Sequence, residues 1–253
     1  NINVEKTLDA MKYAYDFFQK ARSGYKFIDG TLIEFFRLLF KYPEILMWEK
    51  VWLERNKDLD KEIYGLVKWV NPDLSFGLNV WNRNHFNFIR KTQWPWKEQT
   101  DYADWVKPIT YQHQSGEIFL REVNLFGKSA FNEFSENQLI KAFAKILNIN
   151  EKSLNNLVQT GLDPDTYIYT QCKETVKGVE GKAKVYMGIG IDAPRSSKDQ
   201  AICTPDIAYR SVIATYNAGG EGIVLSPNYS SMKLTNLDGV AKALRELGIF
   251  DNE

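Results

Sequence analysis

Two consecutive strand–loop–helix units in the last third of the chain constrain its fold more than any other feature. The first strand runs from Ala183 to Asp192 as Ala-Lys-Val-Tyr-Met-Gly-Ile-Gly-Ile-Asp, with a loop and then a helix from about Thr204. The second runs from Gly222 to Tyr229 as Gly-Ile-Val-Leu-Ser-Pro-Asn-Tyr, with a loop and then a helix ending near Leu247. Each strand is apolar along its length and turns polar only at its C-terminal end. Strands of this kind read as parallel and buried on both faces, and α/β enzymes gather their chemistry at such ends. The chain is therefore read as an α/β protein.

The rest of the sequence repeats the rhythm less cleanly. Leu8, Met11, Ala14, Tyr15 and Phe18 give a helical stripe over Val4 to Ala21. A second helix begins near Thr31, and Tyr42-Pro43 breaks it before a long amphipathic stretch that Asn71-Pro72-Asp73 stops. Leu74 to Trp81 reads as a strand, followed by a long loop through Trp94-Pro95-Trp96 and a short helix over Glu98 to Asp104. Trp105 to Tyr111 reads as the next strand, although Pro108 has no N–H to give to a ladder. An insertion follows over 112–162, with a helix opened by the capping pattern Ser135-Glu136-Asn137-Gln138. A helix over Asp165 to Lys177 leads to the Ala183 strand. Thr204-Pro205 marks a helix start, with a capping hydroxyl and proline at the first helical position.

Four strands, each followed by helix, cannot close a (β/α)8 barrel, which takes eight such units in about 250 residues. Two explanations compete. The chain is either the C-terminal portion of a TIM barrel, about four βα units, or a small open α/β sheet. The N-terminal helices fit the first better, as connections whose preceding strands are absent. The expected organisation is one α/β domain over 1–253, an incomplete barrel with extra N-terminal helices and the helical insertion at 112–162. The first and last strands would then be open edges, liable to pair with another copy.

Composition excludes several classes of function. Lys plus Arg and Asp plus Glu each number 32, so the formal charge is zero. No block of like charge offers a footprint for nucleic acid or anionic lipid. No apolar run is long enough to span a bilayer, and no cofactor is implied. Two histidines make a multi-histidine metal site a poor expectation, and Cys172 and Cys203 are too few for a disulfide framework. The chain opens Asn-Ile-Asn-Val-Glu, so it is expected to be processed or a fragment. A removed signal peptide would place it in the periplasm or outside the cell.

Several runs resemble the later part of TIM-barrel glycoside hydrolase-like proteins, a mostly bacterial group. They are Tyr42-Pro43-Glu44-Ile45-Leu46-Met47-Trp48-Glu49-Lys50-Val51-Trp52, the stretch Tyr102 to Tyr111, Gly188 to Pro194, Gly222 to Tyr229, and Leu234 to Gly239. The resemblance covers roughly Tyr42 to Phe250 and would make the four strands the fifth to eighth of the barrel. It implies an enzyme acting on a glycoside, oligosaccharide or polysaccharide. Many such enzymes carry paired glutamates after strands four and seven. Here the seventh-strand position ends in Asp192, and strand four is not in the chain.

Glycoside hydrolysis uses two carboxyl groups, about 5–5.5 Å apart for retention and roughly 6.5–9.5 Å for inversion. Asp192, at a strand end, is the first candidate, and a structural reading has it capping the next loop or pairing with Arg195. Glu117 and Glu122, expected in the loop after Tyr111, are candidates for the second carboxylate, although most loop glutamates are only solvated. Sugar rings pack their C–H faces on indole and phenol, and their hydroxyls want amides, imidazole and guanidinium. Trp81, Asn82, Arg83 and His85 follow one strand, Tyr111, Gln112 and His113 the next, and Asn228 and Tyr229 the last. These three strand ends are the expected saccharide contacts. Trp94 and Trp96 read as a rigid loop clamp. A non-catalytic carbohydrate-binding barrel is the alternative, and a lyase or isomerase using Lys107 is a third reading.

Overall fold

Helix periodicity and a parallel sheet divide the labour in the computed structural model, which describes residues 3–250. The chain opens with α1 (Val4–Arg22), α2 (Thr31–Lys41) and α3 (Glu44–Val70). Strand β1 (Gly77–Val80) follows, then α4 (Arg83–Phe86), α5 (Phe88–Gln93) and α6 (Trp96–Gln99), then β2 (Trp105–Pro108). The middle of the chain forms α7 (Gln112–Gly127), α8 (Glu136–Ile146), α9 (Leu157–Thr160) and α10 (Tyr167–Val179). The last part is β3 (Lys184–Gly190), α11 (Pro205–Asn217), β4 (Gly222–Ser226) and α12 (Leu234–Glu246). By contact density the chain forms two compact units. Among the described residues, one comprises 3–66 and 121–143, and the other 67–120 and 144–250.

In the first unit, the side chain of Asn3 caps α1 by accepting from the Lys6 N–H at 3.0 Å. The buried face of α1 is Thr7, Ala10, Ala14, Phe17 and Ala21, while Leu8 and Tyr15 are exposed. The helix is thus rotated by about one residue from the stripe its large apolar positions suggest. Small alanines permit close approach, and the Phe17 ring packs tilted against Phe27 and Phe35 at 5.3 and 5.9 Å between ring centroids. Glu133 accepts from the Thr31 N–H at 2.8 Å, which satisfies one of the unpaired donors that open α2 and sets a carboxylate at its positive end. None of the side chains of α3 is fully buried, and Trp48 and Trp52 remain about half exposed.

The second unit holds a four-stranded parallel sheet in the order β1-β2-β3-β4, each strand beside its sequence neighbour. An α/β fold of this kind is what the strand pattern predicts. Pro108 does lie in a central strand, and the ladder shows the cost. Pairing of β2 with β3 covers Trp105 and Val106, lapses, and resumes at the Ile109–Gly188 bridge. Thr204 caps α11 by accepting from the Ile207 N–H, with Pro205 at its first position, and Ser135 and Gln138 make the reciprocal capping bonds before α8.

The expectation that the last two strands are buried on both faces holds for β3 beyond Tyr186, where Met187 to Gly190 are all buried, and not for β4, where Gly222 to Leu225 are only partly buried. On one face Val185, Met187 and Ile189 are 0–2% exposed. Ile189 and Ile191 pack there with Ala208 and Val212 of α11 and with Val240, Ala243 and Leu244 of α12. The other face carries Trp105, Lys107 and Tyr186, all only partly buried, with Asn79 exposed. Two further expectations change. The long loop after β1 is broken into α4, α5 and α6, with Trp96 packed so closely on Gly178 of α10 that a Cβ there would come within 2.7 Å. Glu117 and Glu122 sit on helix α7, not in a loop.

No helix among the described residues is long and apolar enough to cross a membrane.

Candidate functional site at the C-terminal end of the sheet

Glycines at two alternate positions of β3 shape this end of the sheet. A Cβ on Gly188 would lie 2.9 Å from Lys107 Cε, and one on Gly190 would lie 2.6 Å from His113 Cε1 and 2.9 Å from Tyr111 Cβ. Lys107 from β2, and Tyr111 and His113 from the start of α7, can therefore lie across β3 only because those residues lack side chains. Ser226 pairs in register with Gly190 from the other side, and its Oγ accepts from Lys107 Nζ at 3.3 Å. Burial lowers the pKa of the Lys107 ammonium from its ordinary value.

His113 is 1% exposed and parallel to the Tyr111 ring, 6.5 Å between centroids. Its Nδ1 lies 2.9 Å from Gln112 Oε1. Nε2 is buried without a hydrogen-bond partner. Burial pushes the His113 pKa down to about 4. The Ala193 carbonyl and the Asp192 carboxylate pull the other way without outweighing burial.

Asp192 sits just past β3 in a left-handed conformation, φ 58°, which an aspartate tolerates better than most residues. Its Oδ2 accepts from the Lys233 N–H and from Asn236 Nδ2, each at 2.9 Å, and Lys233 Nζ lies 3.5 Å from Oδ1. Burial alone would raise its pKa, but these hydrogen bonds and the Lys233 charge outweigh burial and hold the carboxyl below its ordinary range. Asp192 thus ties the end of β3 to the first turn of α12. Arg195 is not its partner. That guanidinium donates to the Lys198 and Gln200 carbonyls.

The other expected site residues separate into two groups. Gln114 Nε2 donates to the Pro194 carbonyl at 2.6 Å, and Ser196 Oγ donates to Glu117, so the first turns of α7 and the β3–α11 loop meet around Asp192. Glu122 is fully buried and belongs to the 121–143 segment of the first unit. His85 is core: it is 4% exposed, its Nδ1 lies 3.1 Å from the Tyr167 hydroxyl, and its ring meets Phe86 and Tyr167. Burial pushes its pKa down to about 3, with the Lys91 charge adding to the effect. Asn82 is buried, Arg83 is partly buried, and Trp81 is 67% exposed. Asn228 accepts from Ser231 Oγ at 2.7 Å, and Tyr229 is exposed.

Cys172 and Cys203 are free thiols, both buried. Among the described residues, no three His, Cys, Asp or Glu side chains gather where they could hold a metal ion. Sequence reasoning missed Lys233 and Asn236 as partners of Asp192, and the pairing of Lys107 with Ser226. A lysine inside an apolar strand, two strands from a serine at a strand end, was the only available signal. No protein-family model, curated protein or solved structure matches the chain.

Proposed function

We propose that this chain is the C-terminal portion of a (β/α)8 barrel and acts on a glycoside, with Asp192 as the ionised carboxylate of a hydrolytic pair. The observation that carries this reading is the sheet itself. Four parallel strands lie in chain order, helices cover one face, and Tyr111, His113, Asp192 and Ser226 converge at the C-terminal end. Barrel enzymes build their sites from several strand ends in this way. The depressed pKa of Asp192 suits a nucleophile or base and not the general acid, which must be protonated at working pH. The acid would then be a different group. Glu117, brought to the same loop through Ser196, is the candidate within this unit.

A non-catalytic carbohydrate-binding protein is the second reading. It is favoured by the full engagement of the Asp192 oxygens at the start of α12. Asp192→Asn separates the two when turnover is measured on a panel of aryl glycosides, with saccharide binding and thermal unfolding followed in parallel. Catalysis predicts a loss of turnover of about 10²–10⁴-fold with binding retained. The non-catalytic reading predicts saccharide binding without turnover in either protein, and a loss of about 1 kcal/mol of stability in the variant, as for a removed helix cap.

A further inference from the structure

The partly buried cation at this end of the sheet lacks a counter-charge. Lys107 crosses Gly188 to reach Ser226, and among the described residues it forms no ion pair. A lysine in a partly desolvated position is normally matched by a carboxylate, because its charge is costly there without one. Here the partner is a neutral hydroxyl. After donating once to Ser226 Oγ, the ammonium keeps two N–H groups, and the serine keeps its own O–H. Three donors and one positive charge therefore lie beside Gly188 and Gly190, and among the described residues none of the three donors meets an acceptor.

We propose that Lys107 and Ser226 form a carboxylate-binding subsite and that the ligand of this site is an acidic sugar, a uronate. One cation and one hydroxyl match a monoanion, whereas a phosphate dianion would call for further positive charge. The carboxylate accepts from Lys107 Nζ and Ser226 Oγ. The identification of the ligand as a sugar rests on the glycoside reading. The anion subsite rests only on Lys107, Ser226 and the two glycines.

The test is a set of calorimetric titrations of the protein, Lys107→Met and Ser226→Ala with galacturonate, galactose and acetate, with circular dichroism to confirm folding. Galacturonate is expected to bind at least tenfold more tightly than galactose. That preference should vanish in Lys107→Met, which keeps the length of the side chain, and shrink in Ser226→Ala. Equal affinity for galacturonate and galactose would overturn the subsite and leave the glycoside reading standing, as would a preference untouched by either substitution. Acetate and galacturonate binding that depends on Lys107, with no response to galactose, would support the subsite and count against a general saccharide site. Binding of none of the three would overturn both.

Discussion

Lowering the pH from 7 to 4 is expected to destabilise this protein by several kcal/mol, because its two histidines are buried in neutral form. In the unfolded chain each titrates near pH 6.5, whereas in the folded protein burial pushes His85 down to about 3 and His113 to about 4. Between those values the unfolded state binds protons that the folded state refuses. The stabilising contribution is therefore complete above about pH 6.5 and lost progressively as pH falls toward 4, at up to about 1.4 kcal/mol per pH unit for each histidine. Glu151 works in the opposite direction, since burial raises its carboxyl pKa, but it is only partly buried. Urea unfolding at pH 7, 6, 5 and 4 measures the effect. His85→Gln, which removes one titration, should flatten the curve, and an unchanged slope in that variant would rule out His85 as a source.

Gly239→Ala is expected to lower stability by about 2 kcal/mol, although alanine is the better helix former by about 1 kcal/mol. Gly239 lies in α12 where that helix crosses the start of α11. A Cβ there would come within 2.2 Å of the Pro205 carbonyl oxygen and 2.9 Å of its carbon. These are backbone atoms, so relief requires α11 and α12 to separate and to loosen Ala208, Val212, Val240 and Ala243 between them. Thermal unfolding should show a midpoint lower by roughly 4–8 °C. Gly65→Ala in α3, where a Cβ meets nothing within 4 Å, is the control and should be neutral or stabilising. A midpoint raised by Gly239→Ala would show that the two helices do not pack this closely.

The elements that the sequence revealed are those written in local chemistry. Thr204-Pro205 opens α11 and Ser135–Gln138 opens α8 because each cap is closed by atoms three residues away. The apolar runs at 184–190 and 222–226 are strands because their composition favours extended chain wherever they lie. His85 shows the limit of such reading. Its place in a run of amides and aromatics suggested a sugar contact, but a bond to Tyr167, 82 residues away, puts it in the core. The stripe of α1 was misplaced by one residue for a related reason. Alanine carries little hydrophobic weight in a periodicity, yet Ala10, Ala14 and Ala21 are where close packing is possible.

Interactions within a few residues are enough to specify the α/β alternation, the helix starts and the polar strand ends. What those ends do depends on partners that folding brings from far along the chain. Asp192 is committed to Lys233 and Asn236, and Lys107 reaches Ser226 across 119 residues of sequence. Gly188 and Gly190 acquire meaning only when two strands bring other side chains over them. The parallel sheet sets these distances, and strand register leaves no mark on composition or period.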